Sequence, residues 1–178
     1  MIVCAGRNET FSYAQEIGVG LIESAINLTK ICLFEKPESI LFVGSAGSYG
    51  EYEVFDIIES SKASNIELSF LSNSSYTPLE KILESNSKML KNETIVNSSN
   101  YISIDEELTN QYIEYGIGIE NMEFFSVLQV GLEFKIPVSG IFIITNYTNK
   151  NAHEDFIKNH KVAMEKLSEY LLNKNIIK

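Results

Sequence analysis

The sequence predicts a single α/β domain over residues 1–178, with a largely parallel core sheet flanked by helices, and three observations predict it. Apolar runs of strand length alternate with segments of helical period, Gly or Pro separates them, and the Ile-rich run "IFIIT" at 141–145 is apolar enough for a strand covered on both faces. In order, residues 1–5 read as a strand and 21–34 as a helix, with Leu21, Ile22, Ala25, Ile26, Leu28 and Leu33 near helical spacing. Pro37 breaks the chain before a strand at 40–43, and the glycine-rich "GSAGSYG" then reads as a loop. Strand-like runs follow near 54–58, 66–71 and 94–97, then a helix at 105–115 that Gly116 ends. A strand at 117–119, a helix at 122–134, the strand at 138–145 and an amphipathic helix at 153–172 close the chain.

Composition removes several function classes. A chain of 178 residues can bury a real core, and no apolar run approaches the roughly 20 residues of a spanning helix. Residues 1–5 are too short an apolar run for a signal peptide, so no membrane partner and a cytoplasmic location are expected. The net charge of -10, with lysines scattered and Arg7 the sole arginine, argues against nucleic acid as a partner. Cys4 and Cys32 stand far apart with no metal-type spacing, which predicts reduced core thiols and no metal site.

Three predicted strand ends carry residues capable of chemistry: "GSAG" at 44–47, "ENMEFF" at 120–125 and "ITN" at 144–146. In open α/β sheets ligands bind at such junctions. From the residues alone, the reading of Asn146 as a turn residue leads, and the alternative is an amide that contacts a ligand.

The order and spacing of these motifs resemble the purine nucleoside phosphorylase and methylthioadenosine nucleosidase superfamily, over most of the chain. "GVG" at 18–20, a helix, Pro37, a strand and "GSAG" resemble that family's glycine turn and following elements. "VNSSNYI" at 96–102 is similar to its base-stacking loop, and "NMEFF" to its "EMEA"-type ribose motif. Glu123 and Asn146 lie 146 - 123 = 23 positions apart, the family's interval between ribose glutamate and base-contacting residue. The resemblance implies a phosphorylase/hydrolase-like fold with a mixed twisted sheet. It implies that Glu123 accepts the ribose hydroxyls, Met122 packs on the nucleoside, Tyr101 stacks on the base and His153 meets the ribose 5'-hydroxyl. The "ITN" form of the Asn146 motif resembles the trimeric phosphorylases that prefer 6-oxopurines.

For the attacking group, the resemblance leads to a phosphorylase acting on inosine- or guanosine-like nucleosides, a purine-salvage transferase with inorganic phosphate as co-substrate and no cofactor. Ser45, Gly44 and the neighbouring amides would hold phosphate, with Arg7 as the cationic fork. Phe42 departs from this pattern, since it stands where hexameric phosphorylases carry a phosphate arginine. The alternatives are a nucleosidase of methylthioadenosine or futalosine type, with Glu9 activating water, and a silent nucleoside-binding homologue. Only residues 7–17 separate the first strand from "GVG", shorter than the family's usual segment, so sheet strands are expected to be missing there. A homo-oligomer is expected to cover the exposed edge.

Overall fold

A computed structural model describes all 178 residues. Nine strands form one mixed sheet, with helices on both faces. The chain opens with β1 (Ile2–Cys4), β2 (Gln15–Glu16) and α1 (Gly20–Glu35), and then enters the central strand β3 (Ile40–Ser48). β4 (Ile57–Ser60), β5 (Lys62–Ser64), α2 (Leu68–Leu71), β6 (Ile82–Glu84) and β7 (Ile95–Asn97) follow. The last part comprises α3 (Glu106–Thr109), α4 (Gln111–Glu114), β8 (Ile117–Glu120), α5 (Phe124–Phe134), β9 (Val138–Tyr147) and α6 (Ala152–Asn173).

β3 and β9 run parallel over their whole length and are buried almost throughout, as a doubly covered sheet centre requires. On one face Leu28, Phe42, Phe124, Leu128 and Phe142 pack beneath α1 and α5; on the other Leu41, Val43, Ile141 and Ile143 meet Ala163, Leu167 and Leu171 of α6. Cys4 and Cys32 are free and buried. No helix is long and apolar enough to cross a membrane.

Several expectations change. "GSAG" is no loop: residues 44–47 continue β3, with a register shift between Ala46 and Gly47. Glycine and serine carry no apolar signal, but the ladder to β9 holds them in the strand. Asn146 likewise lies inside β9 and is 6% exposed, so it does not end the strand as a turn residue. The run at 66–71 forms the helical turn α2, and the helix expected at 105–115 divides into α3 and α4 at Asn110. The short N-terminal connection still contains β2, a parallel partner of β1.

The edge of β3 opposite β9 is shared. β1 pairs with its start, at Leu41 and Phe42, and β8 pairs antiparallel with its end, at Gly47 and Ser48. Between them the backbone of Ser45 faces no strand. Its N–H and C=O must find other partners, and this gap in the sheet places the site.

Candidate active site

Two side chains fill the gap at Ser45. The carboxylate of Glu9 accepts the Ser45 N–H at 3.3 Å from each oxygen and also takes the Ser45 hydroxyl, while Asn121 Nδ2 donates to the Ser45 carbonyl at 3.0 Å. Glu9 is delivered by a tight turn closed by backbone hydrogen bonds between Gly6 and Glu9, with Gly6 and Arg7 at positive φ. Gly44, which pairs with Phe142 in the β3–β9 ladder, leaves room for the carboxylate: a Cβ there would stand 2.8 Å from Glu9 Oε2.

Asn121 also accepts the N–H groups of Glu123 and Phe124 through Oδ1, at 2.9 and 3.0 Å. This ties the turn before α5 to the gap. Glu123 then points at the start of α1, where Oε1 accepts the Gly20 N–H at 2.8 Å. An acidic acceptor at a helix N-terminus satisfies an otherwise unpaired donor and suits the helix dipole.

These groups surround a cavity of about 360 Å³. Arg7, Glu9, Ser45, Tyr101, Met122, Glu123, Asn146 and His153, all singled out from the sequence, line it; Gly44 does not. Glu9, Ser45, Glu123 and Asn146 are buried, whereas Tyr101 is 78% exposed at the mouth. His153 stands in the first turn of α6. The Arg7 guanidinium is drawn to Glu23 at 3.1 Å, a solvent-exposed pair, and does not meet Ser45.

Burial sets the electrostatics. It raises the Glu9 carboxyl above its ordinary value, against the pull of the Ser45 donors and the charge of His160. His160 packs against Phe156, with ring centroids 5.0 Å apart, and its Nε2 is buried without a hydrogen-bond partner. Burial, and then the nearby charge of Glu9, push Glu123 up to about 8. A third carboxyl, Glu120, lines the same cavity and is raised by burial, partly offset by Ser103 and Tyr49 as donors. The sequence reading missed Glu120 and Asn121 as site residues. Both stood within the quoted "ENMEFF", but only the pairing of β8 with β3 brings them to the cavity.

The arrangement of a sheet gap, a buried carboxylate pair and an amide on the central strands is now comparable with known structures. A mutant Helicobacter pylori methylthioadenosine nucleosidase with 5'-methylthioadenosine in its active site matches with a TM-score of 0.80 and 14% identity, over 97% of this chain and 95% of that chain. Native futalosine hydrolase from H. pylori matches at 0.78 and 14%, over 96% and 94%. The Streptococcus pneumoniae methylthioadenosine/S-adenosylhomocysteine nucleosidase in complex with 8-aminoadenine gives 0.76 and 15%, over 96% of each chain.

The chain has the nucleosidase fold. No family model matches the sequence, and no curated protein does. The shared nucleosidase fold agrees with the superfamily that the sequence motifs resembled, and the alignments span nearly all of these structures despite the short segment at 7–17.

The expected phosphorolysis is corrected. The structures named above, which the chain matches over nearly all of its length, are nucleosidases and a futalosine hydrolase. A physical reason accompanies this: the Ser45 hydroxyl and N–H, expected to donate to phosphate, are both occupied by the Glu9 carboxylate. Phosphate would have to displace that carboxylate or lie against it, without the Arg7 guanidinium to offset the repulsion.

Proposed function

We propose that the chain is a purine nucleosidase, of the methylthioadenosine or futalosine type, that hydrolyses the N-glycosidic bond with Glu9 as general base. The observation that carries this reading is the Glu9 carboxylate, fixed by both Ser45 donors in the sheet gap and facing a nucleoside-sized cavity. Ser45 and His160 favour its charged form, while burial raises the carboxyl above its ordinary value and so makes the carboxylate a stronger base. Glu123, pushed up to about 8 by burial and then by the charge of Glu9, is the protonated neighbour near neutral pH.

In the reaction, water attacks the anomeric carbon as the bond to the purine nitrogen breaks. Glu9 receives the water proton, and the bonding electrons pass to the base. Asn146 donates a hydrogen bond to the departing purine and stabilises its negative charge; an amide gives up no proton at neutral pH, so the base takes its proton from solvent. Glu123 engages the ribose hydroxyls, Met122 and Tyr101 cover the nucleoside, and His153 meets its 5' side. No cofactor enters this chemistry.

Chromatography of base and sugar products from inosine and 5'-methylthioadenosine tests the reading. Base release at the same rate with and without inorganic phosphate is expected, giving the free pentose. Release that requires phosphate would overturn it.

The seating of Glu9 gives a second expectation. In Gly44→Ala the new Cβ would meet Glu9 Oε2 at 2.8 Å and Phe42 Cε1 at 3.1 Å, so the carboxylate must move. Thermal unfolding is expected to show a loss of about 1–3 kcal/mol. A shift of a few tenths of an ångström in the base is expected to lower kcat by about tenfold.

A further inference from the structure

The carboxylate at the sheet gap lacks a cation of the ordinary kind. Glu9 is buried, and no lysine lines its cavity. Arg7, the sole arginine, is drawn outward to Glu23. The Ser45 N–H and hydroxyl are dipoles, and they leave the net charge of a buried anion unbalanced. Across the cavity stands a further carboxyl, Glu123, and no positive group.

Behind the cavity wall lies a second imbalance. Nε2 of His160 is the one buried side-chain nitrogen or oxygen in the molecule that has no hydrogen-bond partner. Burying such a group unpaired costs about 1–3 kcal/mol, so some other interaction must offset it. His160 stands one turn after Phe156 on α6, and the two rings pack with centroids 5.0 Å apart. Phe156 lines the cavity with Glu9, whereas His160 does not, which puts the imidazole in the layer behind the wall. α6 is pinned in that position: Asn159 Nδ2 donates to the Thr145 carbonyl at 2.8 Å, and the Tyr13 and Ser168 hydroxyls meet at 2.9 Å.

The surroundings leave Glu9 as the charge that this imidazole can answer. One turn to either side on α6 lie Phe156, Ile157, Ala163 and Met164, none of them ionisable. Lys158 and Lys161 beside it are exposed, and the acidic Glu154 and Asp155 stand in the first turn. The sheet face beneath α6 presents Cys4 and Tyr13, a thiol and a phenol that burial keeps neutral. Glu59 of β4 is held by Tyr170 and Lys174, roughly 15 Å farther along the helix. Glu9, from the turn at 6–9, is the remaining group, and the charge of His160 acts on it.

We propose that His160 is a positioning residue that supplies the counter-charge to the Glu9 carboxylate from behind Phe156, keeping Glu9 ionised and therefore able to take the proton of water. An imidazolium suits the place, because it carries its charge on a flat ring that packs against an aromatic neighbour. The role rests on Glu9 being the base of the proposed nucleosidase, whereas the charge coupling itself is measurable without turnover.

The midpoint of Glu9 ionisation tests it, read by NMR on protein labelled with carbon-13 at the glutamate carboxyls, with Glu9→Gln used to assign the signal. His160→Phe fills the space without charge, and His160→Gln keeps a hydrogen-bond donor without charge. Loss of a positive charge disfavours the carboxylate, so in both variants the midpoint is expected to rise by about one pH unit, the lower end of the effect of an opposite charge. The acid side of the kcat profile is expected to move up with it, which lowers kcat there by about tenfold, a difference that narrows as pH rises. A role in packing alone would change stability and leave the midpoint in place. An unmoved midpoint, or movement in only one of the two variants, would overturn the proposal, since the charge is absent from both. Movement in both without cleavage of any nucleoside would sustain the coupling and refute hydrolysis; phosphate-independent cleavage with an unmoved midpoint would do the opposite.

Discussion

Glu9→Gln is expected to lower kcat by roughly 10²–10⁴-fold, the usual contribution of a positioned general base. Affinity for a purine base is expected to change much less. The reason lies in the separate loads on the carboxylate. Its structural load is to accept the Ser45 N–H and hydroxyl at the sheet gap, and a glutamine oxygen can accept those hydrogens. Its chemical load is to take a proton from water, which an amide cannot do. The substitution therefore separates cleavage from binding. Single-turnover base release and equilibrium binding, measured on the same preparation, check it. Comparable losses in both would mean that Glu9 holds the site together without acting as the base.

Glu123→Gln is expected to stabilise the protein at alkaline pH. Folding raises the Glu123 carboxyl from 4.5 to about 8, so between those values the folded state binds more protons than the unfolded state. Stability must then fall as pH rises through this window, and the contribution is fully present only below the unfolded value. A neutral glutamine, whose oxygen can still accept the Gly20 N–H, removes this dependence. The variant is expected to gain on the unaltered protein from about pH 5 upward and to level off above about pH 8, by on the order of 3 kcal/mol, or roughly 6–12 °C in Tm. Thermal unfolding across that range checks the sign. A constant difference would mean that Glu123 is not the group held protonated by the fold.

Much of the scaffold was legible because it rests on local apolar pattern. The Ile-rich run of β9, the helical spacing of α1 and the stripe on α6 each carry their own signal, and each forms close to the expected place. The elements that escaped have weak local signals. β2 is two exposed residues, β6 is three residues with only Leu83 buried, and the second half of β3 is glycine, serine and alanine held in a strand by its neighbour. The site shows the same division. Motif spacing pointed to Glu123 and Asn146, the resemblance to nucleosidases added Glu9, and the fold brings the three to one cavity. It could not reveal that Glu9 occupies the very donors expected for phosphate, because that depends on the unpaired backbone between β1 and β8. Nor could it show Arg7 turned to Glu23, or Glu120 set opposite Asn146 across Gly47. These are consequences of long-range register, which no short stretch of sequence encodes.

The central claim, that water and not phosphate attacks the sugar, is tested most directly by running base release in water enriched in oxygen-18 with phosphate present, and reading the sugar by mass spectrometry. One labelled oxygen in a free pentose is the predicted result. Unlabelled sugar 1-phosphate, or an intact nucleoside, would contradict it.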